Sequence, residues 1–170
     1  MNGRRNLILI GLPTAGKSTL GVVLAKMLGY DYIDTDLLIQ KQEGCRLEEI
    51  IRKIGDDAFL DLEGEVCASL QTEHTVIATG GSVIYRAEAM RHLKELGTIV
   101  YLKISLETLK MRMYDAQSRG VVIREDQTLE GLYAERVRLY EKYADRTVDE
   151  GNMEFEEVLE AVLAAVRTGM

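Results

Sequence analysis

The chain has 170 residues, of which 46% are hydrophobic and 29% charged, with a formal net charge of −7 and two cysteines, Cys45 and Cys67. This length is typical of one domain with its own core, no apolar run reaches the eighteen or so residues that a membrane span needs, and the negative charge disfavours nucleic acid and anionic membranes as partners. Two scattered cysteines are too few for a disulfide framework or a metal site, so we expect a single cytoplasmic domain, residues 1–170, that binds a small enclosed ligand.

Apolar, β-branched runs alternate with helical patterns along the whole chain. The strand patterns are Asn6–Gly11, Tyr30–Asp34, Thr75–Thr79, Thr98–Lys103 and Arg146–Glu150. Apolar residues recur at intervals of three and four in Lys17–Leu28, Leu47–Leu70 (with a possible break at Gly55), Ala87–Leu96, Leu106–Tyr114, Leu129–Tyr143 and Glu154–Val166. Strands and helices that alternate in this way predict an α/β fold, in which right-handed crossovers place helices on both faces of a parallel sheet.

The segment GLPTAGKST, Gly11–Thr19, joins the first strand pattern to the first helix. It fits G-x-x-x-x-G-K-[ST] in the strand-to-helix context that distinguishes a phosphate-binding loop from a chance match. Lys17 is expected to reach the β and γ phosphates of ATP, and the Ser18 hydroxyl suits a Mg²⁺ ion that bridges them. Backbone N–H groups directed at the phosphates are expected from Thr14, Ala15, Gly16, Lys17, Ser18 and Thr19. A glycine-rich turn that only connects strand to helix would not require Lys-Ser-Thr after its second glycine.

Two acidic residues, Asp34 and Asp36, follow the second strand pattern. Residues two apart on a strand share a face, and ligands of open parallel sheets lie beyond the carboxyl ends of the strands. One carboxylate could hold the hydration shell of the metal while the other orients or deprotonates an attacking hydroxyl. Alternatively, they could form a solvated strand end, or Asp36 could cap a helix that begins at Leu37. Paired glycines in ATGGS, Thr79–Ser82, allow close approach of a ligand, although a plain turn explains them equally well.

Taken in order, five segments resemble the shikimate kinase family, a branch of the P-loop fold of nucleoside monophosphate kinases. The segments are GLPTAGKST, DYIDTD, IIRKIGDDAFLDLEGEV, VIATGG and ERVRLYEKYAD. The resemblance covers nearly the whole chain. It implies a three-layer P-loop kinase fold with a five-stranded parallel sheet, a substrate-binding helical region at about residues 35–65, and a short lid at about residues 114–127 that closes over ATP. It also implies a monomer.

The same resemblance implies roles for individual residues. Ser18 and Asp34 would serve Mg²⁺, while Asp36 would bind and deprotonate the accepting hydroxyl. Gly81 would touch the substrate, and Arg136 would hold its carboxylate. On the nucleotide side, Arg112 would pack against adenine and Arg119 of the lid would approach the phosphates. Each arginine could instead be a solvated helix charge, most credibly Arg112.

The polar, glycine-containing segment YDAQSRGVVIREDQ independently favours a mobile lid. Closure of such a segment excludes water, and Arg119 could then neutralise charge on the transferring phosphoryl group.

The chain departs from the family pattern at three places. Leu60 stands where the family carries an arginine that pairs with the substrate carboxylate, Ser82 replaces a third glycine, and the lid contains Arg119-Gly120-Val121-Val122 instead of Arg-Pro-Leu-Leu. A lost charged contact costs about 1.5 to 3 kcal/mol if nothing replaces it. Arg138 is one residue that could supply a substitute.

Three functional hypotheses remain open at this stage. The first is transfer of the ATP γ-phosphoryl group to the 3-hydroxyl of shikimate, a step of aromatic amino-acid biosynthesis. The second is a related kinase acting on another small hydroxylated metabolite, which Leu60 favours. The third is a nucleotide-binding module without transfer activity, which the retention of Asp36, Arg119 and Arg136 disfavours.

Overall fold

The computed structural model describes residues 6–115 and 127–167, and all details below concern these residues. Five parallel strands form one sheet in the order β2-β3-β1-β4-β5. The strands are β1 (Asn6–Ile10), β2 (Asp31–Asp34), β3 (Thr75–Ala78), β4 (Gly97–Lys103) and β5 (Arg146–Asp149). The predicted five-stranded parallel sheet is therefore confirmed.

Eight α-helices connect or follow the strands within the described ranges. They are α1 (Lys17–Leu28), α2 (Thr35–Glu43), α3 (Leu47–Ile54), α4 (Asp56–Ala68), α5 (Ala87–Leu96), α6 (Leu106–Asp115), α7 (Leu129–Tyr143) and α8 (Phe155–Arg167), with one 3₁₀ turn at Val83–Tyr85. Because crossovers to either side of β1 are right-handed, α1 and α8 cover one face of the sheet while α4, α5 and α7 cover the other. None of these helices is long and apolar enough to cross a membrane.

The core lies on both sides of the central strands. Every residue of β1 and β3 is buried, which explains why both strands are nearly continuous apolar runs rather than alternating patterns. A second, smaller apolar cluster joins α2, α3 and α4 through Ile39, Ile50, Phe59 and Val66. This cluster supports the helical region that follows β2 and holds it above the carboxyl ends of the strands.

The long helical pattern at Leu47–Leu70 is two helices, because Gly55 ends α3 and precedes α4 with a φ of +84°. The apolar periodicity of the sequence does not predict α2, because its nine residues are mostly polar and exposed. Residues 116–126, which contain Arg119 and most of the predicted lid, lie outside the described residues.

Candidate active site

The loop after β1 has the backbone geometry of an anion-binding turn. Gly16 is the N-cap of α1 with a φ of +79°, and Thr14 also has a positive φ, of +69°. No capping side chain bonds to the first turn of α1, so backbone N–H groups at its start stay available to a ligand. These N–H groups and the partial positive charge of the helix N-terminus make the loop suitable for phosphate.

Lys17 is held inside this loop. Only 8% of its surface is exposed, and its Nζ donates hydrogen bonds to the carbonyl oxygens of Gly11 and Leu12, both at 2.8 Å. Burial lowers the pKa of Lys17 to about 8, although the nearby carboxylates of Asp36 and Glu63 act in the opposite direction. Most Lys17 side chains are therefore protonated at neutral pH, and the positive charge lies inside the loop that would bind phosphates.

Ser18 and Asp34 meet at the exposed edge of the loop. The Ser18 hydroxyl donates to Asp34 Oδ2 at 2.6 Å, and the Tyr32 hydroxyl donates to the same oxygen at 3.2 Å. The other oxygen of Asp34 accepts from the backbone N–H groups of Asp36 and Leu37. Asp34 is thus the N-cap of α2, and the alternative in which Asp36 caps the helix is wrong. This correction leaves the Asp36 carboxylate available to a ligand.

The carboxyl groups of Asp36 and Glu63 lie close together next to Gly80. A Cβ atom built on Gly80 would lie 1.8 Å from Glu63 Oε1 and 2.8 Å from Asp36 Oδ1, so these two oxygens are at most about 4.6 Å apart. Any side chain at position 80 would collide with both carboxyl groups, which explains the glycine there.

Burial, together with the charge of Asp34, raises the pKa of Asp36 to about 6, and Lys17 partly offsets the rise. The pKa of Asp36 is thus close to neutral pH, which suits a group that accepts a proton during the reaction.

Glu63 was missed by the sequence analysis. It is 1% exposed on α4, and its Oε2 accepts a hydrogen bond of 2.6 Å from the Ser82 hydroxyl. Burial raises its pKa to about 7, and the Ser82 hydrogen bond partly offsets the rise. The available signal was its position four residues after Phe59 and four before Cys67, because all three share the buried face of one helix.

Arg136 lies on α7 at the inner end of the site. It is 2% exposed, and its guanidinium carbon lies 5.6 Å from the centre of the Tyr85 ring. Gly81 packs closely against it, since a Cβ at position 81 would be 3.2 Å from Arg136 Nη1. One turn along α7, the Tyr140 hydroxyl donates to the carbonyl oxygen of Gly81 at 2.5 Å. The glycine loop and the arginine are therefore fixed to one another.

Arg112 is a half-exposed charge on α6 that is tied to the phosphate loop. Its Nη1 donates to the carbonyl oxygen of Thr14 at 2.9 Å, and its Nη2 forms an ion pair with Glu150 at 3.1 Å. Arg112 therefore links α6 and the end of β5 to the phosphate loop.

A cavity of about 540 Å³ connects these groups. Its lining includes Thr14, Gly16, Lys17, Ser18, Thr19, Asp34, Asp36, Glu63, Gly81, Ser82 and Arg136. Four of the named residues do not line the cavity: Ala15, Leu60, Arg112 and Arg138. The side chains of Ala15 and Leu60 are buried. Arg138 is exposed two positions beyond Arg136, on another side of α7. The structure thus brings together most of the predicted site residues, while Arg119 lies outside the described ranges.

The fold and the phosphate loop together define a P-loop kinase. The family model described as shikimate kinase matches residues 13–167. A shikimate kinase of Clostridium botulinum is 39% identical over 166 residues, which cover 95% of this chain and 96% of that protein. The chain belongs to the shikimate kinase family.

Solved structures agree with this assignment. The structure of shikimate kinase from Acinetobacter baumannii in complex with shikimate superposes with a TM-score of 0.86 at 30% identity, covering 96% of this chain and 93% of that one. Shikimate kinase from Aquifex aeolicus superposes with a TM-score of 0.82 at 34% identity, covering 95% and 96%. The chain is thus an ATP-dependent small-molecule kinase by family, as the sequence motifs predicted.

Proposed function

We propose that this chain transfers the γ-phosphoryl group of ATP to the 3-hydroxyl of shikimate, forming shikimate 3-phosphate and ADP. The observation that carries the proposal is one cavity in which the phosphate loop and Lys17 are joined to Asp36 and Arg136. These groups match the demands of the reaction, which needs the triphosphate held, a hydroxyl oriented and a carboxylate recognised. The relative from Acinetobacter baumannii was solved with shikimate, which supports the choice of acceptor.

The nucleotide half of the site is assigned to the phosphate loop. The N–H groups from Thr14 to Thr19 would hold the β and γ phosphates, and Lys17 would exchange its hydrogen bonds to the carbonyls of Gly11 and Leu12 for phosphate oxygens. Phosphate charge would also raise the pKa of Lys17, keeping the ammonium group protonated during transfer.

The pair formed by Ser18 and Asp34 fits a Mg²⁺ ion. The Ser18 hydroxyl and the Asp34 carboxylate lie 2.6 Å apart, so one ion at the edge of the loop could be held by both. Both groups are hard oxygen donors at the edge of the phosphate loop. When bound there with ATP, Mg²⁺ would neutralise charge that develops between the β and γ phosphates.

The acceptor half of the site is assigned to Asp36, Gly81 and Arg136. Asp36 would accept a hydrogen bond from the 3-hydroxyl, orient it toward the γ phosphate and take its proton as the new bond forms. Arg136, held by its packing against Tyr85, would pair with the substrate carboxylate. Gly81 allows the ring to approach the backbone beside that arginine.

Further roles are proposals that rest on the family pattern. Arg119 and a lid over residues 114–127 would close on the phosphates, and Arg112 would contact adenine while it steadies Thr14. A cytoplasmic location, a monomeric state and a single domain over residues 1–170 complete the proposal; gel filtration combined with light scattering would test the monomer.

A coupled ADP-release assay tests the function directly. ATP and Mg²⁺ would be supplied with shikimate, quinate, gluconate and small polyols in turn, and we expect turnover with shikimate alone. Because Leu60 removes a guanidinium from α4, a kinase for another hydroxylated metabolite is the second candidate. Turnover with another acceptor and none with shikimate would favour that candidate, and no turnover with any acceptor would favour a binding module.

A further inference from the structure

The charges that line the cavity limit how it can bind an acid. Among the described lining residues, the positive side chains are Lys17, Arg46 and Arg136. The negative side chains are Asp34, Asp36, Glu48 and Glu63. A carboxylate that enters this cavity therefore meets an excess of negative charge and must be placed next to one or two of the three cations.

Two of these cations have fixed positions. The Lys17 ammonium group donates to two carbonyl oxygens of the phosphate loop, so we assign it to the phosphates of the nucleotide and not to the acceptor. Arg136 is almost fully buried beside the Tyr85 ring and lines the inner end of the cavity, but it is a single guanidinium. Leu60 is buried and does not line the cavity, so the corresponding position of α4 offers no charge.

Arg46 is the remaining cation, and it enters the cavity from a different element. It precedes α3, where its carbonyl oxygen accepts from the N–H groups of Glu49 and Ile50 and so fixes its backbone. Its side chain is exposed, and no carboxylate of the described residues forms an ion pair with it. The guanidinium can therefore turn toward a ligand without breaking an existing pair.

Helix formation does not explain an arginine at this position. Arginine has no hydrogen-bond acceptor, so it cannot cap the N-terminus of α3 as Ser, Thr, Asp or Asn would. The first N–H group of the helix is instead served by Gln40, whose Oε1 accepts from Leu47 at 3.2 Å. Ligand binding therefore explains an arginine at position 46 better than capping of α3 does.

We propose that Arg46 is the second guanidinium of the acceptor site and binds the substrate carboxylate from the mouth of the cavity, together with Arg136 from its inner end. This inference rests on the proposed function, because it assumes that the acceptor carries a carboxylate. Arg46, which precedes α3, would supply the positive charge that the family pattern places at position 60 of α4, where this chain has leucine. It also replaces Arg138, which is exposed and does not line the cavity.

The test compares Arg46→Ala with Arg52→Ala, a control within α3 whose exposed side chain does not line the cavity. KM would be measured for ATP, for shikimate and for methyl shikimate, in which the carboxylate charge is absent. We expect Arg46→Ala to raise the KM for shikimate about tenfold, with KM for ATP and for the ester unchanged. Arg46→Lys should recover part of the loss, since it keeps the charge without the bidentate geometry.

The outcomes separate this inference from the proposed function. If the unsubstituted enzyme phosphorylates shikimate but Arg46→Ala prefers shikimate over its ester as strongly as Arg52→Ala does, Arg46 has no part in carboxylate binding and only this inference fails. If the unsubstituted enzyme does not phosphorylate shikimate, the proposed function fails and the inference fails with it. An equal rise in KM for shikimate and for the ester would also overturn it, because the lost contact would not involve charge.

Discussion

At the scale of single residues, Asp36 determines the expected pH dependence of the reaction. Its pKa is raised to about 6 by burial and by Asp34, and the proposed chemistry needs the ionised form. We therefore expect kcat/KM for shikimate to fall as the pH drops through about 6. Initial rates measured between pH 5 and 8 at a fixed Mg²⁺ concentration would show this decrease on the acid side of the pH profile.

Asp36→Asn should remove the proton acceptor while preserving the shape of the site. We expect kcat to fall about a hundredfold or more, with KM for ATP nearly unchanged, because Asp36 acts on the acceptor and not on the nucleotide. Steady-state kinetics at pH 7.5 provide the comparison. Equal losses in kcat and in ATP affinity would point to a structural role for Asp36.

Glu63 makes the stability of the fold depend on pH. The group has an ordinary pKa of 4.5 and a pKa of about 7 in the folded chain, so the folded chain retains a proton that the unfolded chain loses. Stability should therefore fall as pH rises between about 4.5 and 7, by at most about 3 kcal/mol from this group. Its neighbours Asp36, Lys17, Arg136 and Ser82 set the actual size of the loss.

The substitution Glu63→Gln tests this linkage. Urea unfolding at pH 5 and at pH 7.5 should show a loss of stability that is smaller than in the unsubstituted protein by about 1 to 3 kcal/mol. Glu65→Gln is the matched control, since Glu65 is exposed on the same helix. A loss for Glu63→Gln as large as that of the control would mean that Glu63 ionises as easily in the folded chain as in the unfolded one.

The contrast between Lys17 and Glu63 shows what sequence could reveal about the site. Lys17 stands inside a motif whose spacing is dictated by phosphate geometry, so its position follows from a few adjacent residues. Glu63 belongs to the site because α4 turns one face toward the loop after β3, where Ser82 and Gly80 lie. That arrangement is a tertiary contact between distant segments, and no local spacing encodes it.

At the scale of elements, Arg112 connects α6 to the phosphate loop through Thr14 and to the end of β5 through Glu150. Arg112→Ala should raise KM for ATP several-fold and leave KM for shikimate unchanged, because the loop carbonyl loses its donor on the nucleotide side. Met111→Ala, which alters an exposed neighbour on the same helix, is the control.

Glu150→Gln separates two explanations for such an effect. If Arg112 acts by steadying the loop, weakening its ion pair should reproduce part of the rise in KM for ATP. If Arg112 acts only through contact with adenine, Glu150→Gln should leave KM for ATP unaltered. An Arg112→Ala enzyme with normal KM for ATP would exclude both roles.

Helix boundaries show where local sequence was sufficient at this scale. The bounds of α1, α5 and α7 agree with the apolar pattern, since each helix buries residues at intervals of three or four. The possible break at Gly55 in the pattern Leu47–Leu70 is confirmed, since the positive φ of Gly55 divides the segment into α3 and α4. The nine-residue helix α2 has few apolar residues, and it forms where Asp34 caps its start and Ile39 anchors it to the small cluster.

At the scale of the whole molecule, the site is a junction of segments that are far apart in sequence. The phosphate loop, Asp34 and the glycine loop meet because β1, β2 and β3 are parallel and adjacent, so their carboxyl ends share one edge. The sequence predicted the parallel sheet and, from the motifs, a site beyond the carboxyl ends of its strands; it did not predict the order of the strands. It did not predict that Arg46 would line the same cavity, because that depends on how α2, α3 and α4 pack over the sheet.

Nucleotide binding should stabilise the whole fold, because the phosphate loop between β1 and α1 has its binding geometry only in the folded chain, so the ligand binds the folded state and not the unfolded one. A non-hydrolysable ATP analogue with Mg²⁺ at about 100 times its Kd should add about 2.7 kcal/mol. For a domain of this size, that corresponds to a rise in melting temperature of about 5 to 10 °C.

In Lys17→Ala, the same analogue concentration should give a much smaller rise, and turnover should be lost. Lys26→Ala, which removes an exposed charge from the same helix, should match the unsubstituted protein. An equal rise in Lys17→Ala would mean that the phosphates bind elsewhere.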